Sequence, residues 1–278
     1  MNTHNFYLKK LNNVKKFNLN KFKGKKVVVT GHTGFKGGWL SFWLNLKGAK
    51  VVGISNKIIT NPSFFKILKL NEKITNIRLD LRNLKKLNKV LNKHKPDFIF
   101  HLAAQAIVSK SYSDPVNTFK TNAIGTLNLL ECIKNFKHHC VAVIITSDKS
   151  YRNIEIMRGY NENDILGGKD PYSGSKAAAE NIIYSYFHSF IKKNKKLRIA
   201  IARAGNVIGG GDWSDNRLIP DAIRSIKNKK QLIVNSPNST RPWPHVFEVL
   251  FGYMLLALKL KENKDLNGQA FKFGPGKS

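Results

Sequence analysis

The sequence predicts an α/β fold in which helices cover both faces of a doubly wound parallel sheet. Short apolar runs of strand length alternate with helical segments along most of the chain, which is the order expected for such a sheet. The runs are continuously apolar, as is typical of strands that are buried on both sides. With 278 residues, the chain is long enough for one large domain, or for a domain with an appended lobe.

The first unit of this pattern is a strand, a glycine-rich turn, a helix and a second strand. These elements are predicted at residues 25–30, 31–38, 39–47 (closed by Gly48) and 50–55. Three glycines recur with the spacing Gly-x-x-Gly-x-x-Gly, which lets the backbone approach a pyrophosphate at a helix N-terminus. We therefore expect a Rossmann-type dinucleotide site at Gly31, His32, Thr33, Gly34, Phe35, Lys36 and Gly37.

The sequence favours NAD but leaves NADP open. An Asp or Glu about twenty residues after the glycines usually holds the ribose hydroxyls of NAD. Here the second strand ends at Ser55, and Asn56 and Lys57 follow it. Because Lys57 would tolerate a 2′-phosphate, the choice of cofactor is less well determined than the fold.

The remaining elements continue the alternation toward the C-terminus. Strands are predicted at residues 77–81, 98–104, 141–145, 197–202, 231–235 and 270–273, and helices at 83–94, 115–136, 172–192, 246–260 and in a segment ending at 228. The ends of the third and fourth strands are expected at the cofactor through Asp80, Leu81, Ala103, Ala104 and Gln105. His101 in the fourth strand is better explained as a packed histidine than as a site residue.

Two segments carry the candidate catalytic groups. Tyr172 and Lys176 are four residues apart in a predicted helix and share a face, where an ammonium would lower the pKa of the phenol. Such a tyrosine can take a proton from a substrate hydroxyl while hydride leaves the same carbon. Ser147, Asp148 and Lys149 follow a buried strand, and active-site residues gather where such strands end. From the residues alone, a solvated Tyr-x-x-x-Lys pair and a capped turn with an ion pair are the alternatives.

The segment after the sixth strand is expected to hold substrate. Residues 203–213 contain a glycine cluster that forbids regular structure, and loops of this kind above a sheet often bind substrate. Arg217 and Arg241 are candidate clamps for a diphosphate, because guanidinium geometry matches phosphate oxygens. A surface role for either arginine is an equal alternative on this reasoning.

Composition restricts the classes of partner. The formal charge of +31 would attract polyanions, but the lysines are scattered and no nucleic-acid-binding signature occurs. We therefore expect no dedicated nucleic-acid partner and an anionic small substrate such as a nucleotide. No apolar run reaches the roughly 18 residues of a membrane span. Cys132 and Cys140 lack metal or redox spacing, which indicates a reduced cytoplasmic setting without a metal site.

Five stretches together resemble the extended short-chain dehydrogenase/reductase family of nucleotide-sugar enzymes, and within it the CDP-glucose 4,6-dehydratases. They are residues 30–37, 145–149, 170–176, 203–213 and 241–246. The resemblance extends over most of the chain, from residue 17 to residue 275. Related dTDP-glucose and GDP-mannose dehydratases typically carry Asp-Glu or a similar pair where this chain has Asp148 and Lys149.

The resemblance implies an intramolecular redox reaction that yields CDP-4-keto-6-deoxy-glucose. Tyr172, assisted by Lys176 and Ser147, would deprotonate the C4 hydroxyl as hydride passes to NAD. Lys149 would remove the C5 proton, and Asp148 would protonate the departing C6 hydroxyl. The same resemblance places substrate contacts at Asn206, Arg217, Leu218, Ile219, Arg241 and His245. Alternatives are an epimerase, a dehydratase of another nucleotide sugar, and a catalytically silent NAD-binding or nucleic-acid-binding protein.

The expected organisation has three parts. Residues 1–20 form a basic, disordered extension, 21–202 the dinucleotide-binding domain, and 203–278 a small substrate lobe with elements that return to the first domain. Members of the family continue for several tens of residues beyond Ser278, which indicates a fragment or a natural truncation. They pair through two long helices, so residues 115–136 and 172–192 would build a four-helix homodimer interface. The implied setting is cytoplasmic deoxysugar biosynthesis for lipopolysaccharide O-antigen.

Overall fold

The computed structural model describes residues 18–234 and 236–274, and its centre is a seven-stranded parallel sheet. The strands are β1 (Lys26–Thr30), β2 (Lys50–Ser55), β3 (Thr75–Arg78), β4 (Phe98–His101), β5 (Cys140–Ile145), β6 (Leu197–Ala204) and β7 (Ala270–Phe273). Among the described residues, the longer helices are α1 (Phe35–Leu46), α2 (Leu84–His94), α3 (Pro115–Phe119, continued by the π-helical Lys120–Ile124 and by Gly125–Ile133), α4 (Pro171–Tyr186, continued by the π-helical Phe187–Ile191), α5 (Leu218–Lys227) and α6 (Val246–Glu262).

The sheet has the strand order β3-β2-β1-β4-β5-β6-β7, and every neighbouring pair is parallel. Strand β1 pairs with β2 on one side and with β4 on the other. The order of the strands therefore reverses between β1 and β4. In such sheets, ligands bind outside the carboxyl ends of the strands at this switch point. The predicted doubly wound α/β fold is confirmed.

Two apolar layers hold the sheet between its helices. Val27 and Val29 of β1 point into one layer and Val28 into the other, since successive strand residues face opposite sides. Helices α1 and α6 pack on the first layer, and α2, α3 and α4 pack on the second. Burial on both faces explains the continuously apolar runs in the sequence, because each buried aliphatic side chain stabilises the fold by about 1.5–3 kcal/mol.

Several predicted boundaries differ from those in the structure. Helix α1 begins at Phe35 rather than at residue 39, because two of the glycines that the sequence assigned to the turn lie inside its first two turns. Strand β3 begins earlier than predicted, and β3 and β4 end at Arg78 and His101, before residues 81 and 104. The chain thus leaves the sheet earlier and enters the region above the strand ends.

The strand predicted at residues 231–235 is wrong where the structure describes it. Residues 231–234 pair with no strand of the described chain, and Ile233 is 80% exposed; residue 235 lies outside the described ranges. Residues 1–17 of the predicted extension lie outside them too. Leu19, which the sequence placed in that extension, is buried with Phe22 against the core. The division between a domain and a lobe at residue 202 stays a prediction.

Both cysteines are buried and unpaired. Burial raises the pKa of the Cys132 thiol to about 12, and a thiol with a raised pKa is a poor nucleophile. Within residues 18–234 and 236–274, no helix combines the length and the apolar character needed to cross a bilayer.

Candidate active site

A cavity of about 590 Å³ opens at the carboxyl ends of the strands, around the switch point between β1 and β4. The glycine turn, the ends of β2 to β5, the start of α4 and the loop after β6 all contribute to its wall. The lining includes the predicted site residues Gly31, Thr33, Gly34, Phe35, Lys36, Gly37, Asp80, Leu81, Ala103, Ala104, Ser147, Asp148, Lys149, Tyr172, Lys176, Asn206, Arg217, Leu218 and Ile219. The two candidate catalytic segments and the glycine turn therefore share one cavity.

The glycine turn has the shape that a dinucleotide requires. Gly31 has a φ angle of +77°, and a Cβ there would lie 2.7 Å from the backbone nitrogen of Ala103. A Cβ on Gly37 would lie 2.1 Å from the carbonyl oxygen of Gly31. Only glycine is tolerated at both positions, so the start of α1 stays open to the cavity. Because helix N-termini bind phosphate oxygens through their free N–H groups, these residues fit a pyrophosphate.

An ion pair between Asp80 and Arg82 lies beside Asn56 and Lys57 at the wall formed by the ends of β2 and β3. Hydrogen bonds from Arg82 to both carboxylate oxygens of Asp80 hold the pKa of that carboxyl below its usual range. Thr33 Oγ1 donates to the Lys57 carbonyl oxygen at 2.8 Å, which joins the glycine turn to the loop after β2. Asp80 therefore lies beside the end of β2, where the sequence lacks an acidic residue.

Ser147 connects the two candidate catalytic segments. Its Oγ accepts a hydrogen bond from the Lys149 backbone nitrogen at 3.2 Å and donates one to Asp148 Oδ1 at 3.2 Å. The same side chain hydrogen-bonds the Tyr172 side chain. A phenol and a carboxyl are thus linked through one buried hydroxyl.

Burial dominates the ionisation of this cluster. It raises the pKa of the Asp148 carboxyl against the opposing effect of Ser147 and nearby cations, and it lowers the pKa of Lys176 to about 8. The sequence predicted a lowered pKa for Tyr172, and this is wrong for the protein alone. Burial penalises the phenolate more than the Ser147 hydrogen bond and the Arg217 charge favour it, so the pKa of Tyr172 is raised.

A buried ion pair lies beneath these groups. The side chains of Arg203 and Glu180 are only 5% and 1% exposed, and Arg203 Nε donates to both carboxylate oxygens. Glu180 Oε1 also accepts hydrogen bonds from Thr146 Oγ1 at 2.6 Å and from Ser150 Oγ at 2.9 Å. Because Thr146 and Ser150 flank residues 147–149, the network fastens the catalytic turn to α4 and β6. The sequence offered no signal for it, since the partners are far apart and follow no local spacing.

Two residues predicted to bind the cofactor turn their side chains elsewhere. His32 is absent from the cavity lining of the described chain; its ring is buried against the sheet, with Nε2 2.8 Å from Asn76 Oδ1. Gln105 is also absent from that lining, and its amide hydrogen-bonds the Ile107 backbone and Thr118 Oγ1. These side chains shape the turn and the loop after β4, so the predicted direct contacts are not supported.

Two residues predicted to bind substrate also lie away from the described lining. Arg241 is exposed and donates to the Thr240 carbonyl oxygen, although its charge acts on Asp148. His245 is the N-cap of α6, where its Nδ1 accepts a hydrogen bond from the Phe247 backbone nitrogen at 3.3 Å. Local capping accounts for His245 without a ligand.

The cavity wall near the loop after β6 (residues 205–217) contains an arginine and two tryptophans. Nη1 of Arg217 lies 2.9 Å from Oδ2 of Asp212, so this ion pair holds one edge of the guanidinium against the loop. Trp213 and Trp243 also line the cavity, and the sequence assigned no role to either. The available signal was their position in two candidate substrate segments, since aromatic side chains commonly line small-molecule sites.

The family model for GDP-mannose 4,6 dehydratase matches residues 28–272 of this chain. The chain belongs to the GDP-mannose 4,6-dehydratase family. Within this dehydratase family, the chain is 45% identical over 260 residues to a CDP-glucose 4,6-dehydratase of Salmonella typhimurium, covering 92% of this chain and 72% of the relative. The sequence-based assignment to the nucleotide-sugar dehydratases is therefore confirmed.

Solved structures related to the dehydratase family share the fold. A UDP-glucuronic acid 4-epimerase from Bacillus cereus, in complex with UDP-glucuronic acid and NAD, superposes with a TM-score of 0.77 at 26% identity, covering 91% of this chain and 78% of the epimerase. A dTDP-glucose 4,6-dehydratase from Streptomyces venezuelae gives a TM-score of 0.76 at 23% identity, covering 90% of this chain and 76% of that one. The second likeness supports the fold alone.

Proposed function

We propose that the protein is an NAD-dependent lyase that converts CDP-glucose to CDP-4-keto-6-deoxy-glucose and water. The observation that carries this proposal is the presence of Asp148 and Lys149 in the same cavity as Ser147, Tyr172 and Lys176. Simple oxidation or epimerisation at C4 needs only the last three. The choice of CDP-glucose is supported by the 45% identity to a relative that is named for that substrate.

The first step is the removal of the C4 hydroxyl proton by Tyr172. NAD held by the glycine turn at Gly31, Gly34 and Gly37 would supply the redox chemistry of the cycle as a reversible hydride acceptor. Ser147 Oγ holds the C4 oxygen beside the phenol, and Lys176 favours the phenolate once substrate and cofactor exclude water. The raised pKa of Tyr172 in the protein alone means that this activation depends on the groups that bind.

Elimination then uses Lys149 as the base and Asp148 as the acid. The C4 ketone acidifies the C5 proton, which Lys149 accepts, while Asp148 gives a proton to the departing C6 hydroxyl. Burial of Asp148 suits this role, because a raised carboxyl pKa keeps the acid form available. The proton count balances: Tyr172 gains one proton from O4, Asp148 loses one to O6, and Ser147 Oγ lies between them. The Lys149 ammonium exchanges its protons with solvent, and a solvent-derived proton is added to C5 at the end of the cycle.

The nucleotide part of the substrate is assigned to the wall formed by the loop after β6 and the start of α5. Arg217 would bind a diphosphate oxygen with the guanidinium edge that Asp212 leaves free. Asn206, Leu218 and Ile219 would complete this wall. The unpaired buried thiols are in keeping with a cytoplasmic location. The proposed product is a precursor of deoxysugars such as those of lipopolysaccharide O-antigen.

The direct test is to incubate the protein with NAD and CDP-glucose and to follow the alkaline absorbance of a 4-keto sugar. Parallel reactions with dTDP-glucose, UDP-glucose and GDP-mannose establish the nucleotide preference. Loss of water, read by mass spectrometry of the product, separates dehydration from epimerisation, which leaves the mass unchanged. An epimer of unchanged mass, or no product with any of these sugars, would contradict the proposal.

Lys149→Ala should leave C4 oxidation measurable and slow elimination by about 10²–10⁴-fold, the usual contribution of a general base. The measurement is a single-turnover reaction in which reduced nicotinamide is read by absorbance and the 4-keto product by quenched sampling. The variant should accumulate reduced nicotinamide that decays slowly. Product formation at the wild-type rate would refute the assignment of Lys149 as the base.

A homodimer through α3 and α4 is also proposed. The two helices pack against each other and expose Val116, Phe119 and Tyr184, which are large apolar or aromatic groups for a solvent-facing surface. The double variant Val116→Lys/Tyr184→Lys should therefore shift the protein from dimer to monomer in light scattering after gel filtration. Met157→Lys, at an exposed apolar residue in a loop outside both helices, is the matched control. A wild-type monomer would exclude the interface.

A further inference from the structure

The position of Lys36 in the glycine turn suggested a contact with the cofactor, but its side chain is also placed for a second role. It lies in the first turn of α1 and lines the cavity. Its Nζ is 6.0 Å from the centre of the Tyr253 ring on α6. Within the described residues, this ammonium makes neither a hydrogen bond nor an ion pair. Lys36 is partly exposed at the cavity wall, and an ammonium without protein partners is available to a ligand.

The charged groups that act on Lys36 belong to two parts of the cavity, the catalytic segments and the wall assigned to the diphosphate. Asp148 and Asp212 favour its charged form, whereas Arg217 and Lys176 disfavour it. Asp80 and Arg82, at the ends of β2 and β3, are not among these groups. The backbone of residue 36 thus belongs to the pyrophosphate turn, while its side chain lines the same cavity as Asp148 and Lys149 and lies within electrostatic reach of Asp148.

Tyr253 packs beside Lys36 but is absent from the described cavity lining. It is fully buried, its ring meets Phe273 edge-on with centroids 5.3 Å apart, and its hydroxyl has no hydrogen-bond partner in the described chain. Burial, and then the charges of Tyr172 and Asp148, raise the pKa of this hydroxyl. The Lys36 ammonium therefore lies over a buried aromatic ring and lines the cavity that also holds Asp148 and Tyr172.

We propose that Lys36 is a further catalytic residue, whose ammonium stabilises the enolate formed when the C5 proton of the 4-keto sugar is removed. This inference rests on the proposed dehydration. In that step, Lys149 takes the C5 proton and the C–H electron pair moves toward O4. The pair then returns to form the C5–C6 double bond as the C6–O bond breaks and Asp148 supplies the proton for water. Lys36 donates hydrogen bonds throughout and loses no proton, so its part is that of an oxyanion donor.

A pair of arginine substitutions separates this role from that of the base. An arginine keeps a positive charge but cannot accept a proton at ordinary pH. Lys36→Arg should therefore retain elimination within about tenfold of wild type, whereas Lys36→Met should lower it by about 10²–10³-fold. Lys149→Arg should be as slow as Lys149→Ala. Tyr253→Leu should slow elimination more than Tyr253→Phe, because only the first removes the ring beside the ammonium.

The experiment uses single turnovers of CDP-glucose carrying deuterium at C5. Reduced nicotinamide reports oxidation, loss of deuterium reports enolate formation, and the nucleotide released on denaturation reports bound NAD. Lys36→Met should oxidise substrate within about threefold of wild type and retain its NAD, but lose deuterium about 10²-fold more slowly. Wild-type deuterium loss in Lys36→Met, equal defects in Lys36→Arg and Lys36→Met, or loss of bound NAD would each overturn the proposal. Failure of the wild-type protein to form product instead rejects the proposed function itself.

Discussion

Tyr172→Phe should lower the rate of C4 oxidation by about 10²–10⁴-fold, because it removes the only group proposed to accept the C4 proton. The ring is buried in the floor of the cavity, and phenylalanine preserves its packing. The fold and the bound NAD should therefore be unaffected. Single-turnover absorbance of reduced nicotinamide measures this step directly, before elimination can obscure it.

The control for this variant is Tyr112→Phe, which removes a hydroxyl from an exposed tyrosine outside the cavity lining. It should oxidise substrate at the wild-type rate. Ser147→Ala should slow oxidation as well, since it removes the hydroxyl that connects Tyr172 with Asp148. Oxidation by Tyr172→Phe at the wild-type rate would show that another group takes the proton, and the proposed assignment would fail.

The fold could be predicted from the sequence because buried parallel strands are continuously apolar. The runs that became β1, β2 and β5 are buried on both faces, so their composition alone indicates strands. Helix α1 was predicted to begin too late because glycine disfavours helix. Tertiary structure decides here: Gly37 must be glycine inside the helix, since a Cβ would strike the Gly31 carbonyl oxygen.

The catalytic spacing was readable for a similar local reason, whereas the electrostatics were not. Four residues make one helical turn, which puts Tyr172 and Lys176 on the same cavity wall. The raised pKa of Tyr172 depends on how deeply the whole fold buries it. The positions of His32 and His245 likewise depend on partners such as Asn76 and the end of α6, which a motif cannot reveal.

The pair formed by Glu180 and Arg203 lies outside any such motif, and its loss should have the largest effect on stability. Glu180→Leu should lower the free energy of unfolding by about 3–5 kcal/mol, because it leaves the guanidinium of Arg203 buried without its counter-charge. Two hydroxyls, on Thr146 and Ser150, lose their acceptor at the same time. Urea unfolding followed by circular dichroism measures the change.

The double variant Glu180→Leu/Arg203→Met distinguishes loss of an ion pair from general damage to the core. Removing both charges avoids the uncompensated cation, so the double variant should be more stable than Glu180→Leu alone. A surface control is Glu262→Gln, which breaks a solvent-exposed pair with Lys21 and should change stability little. If the double variant is no more stable than the single one, the loss comes from the hydroxyl network. The catalytic turn would then be held by Thr146 and Ser150 rather than by the charge of Arg203.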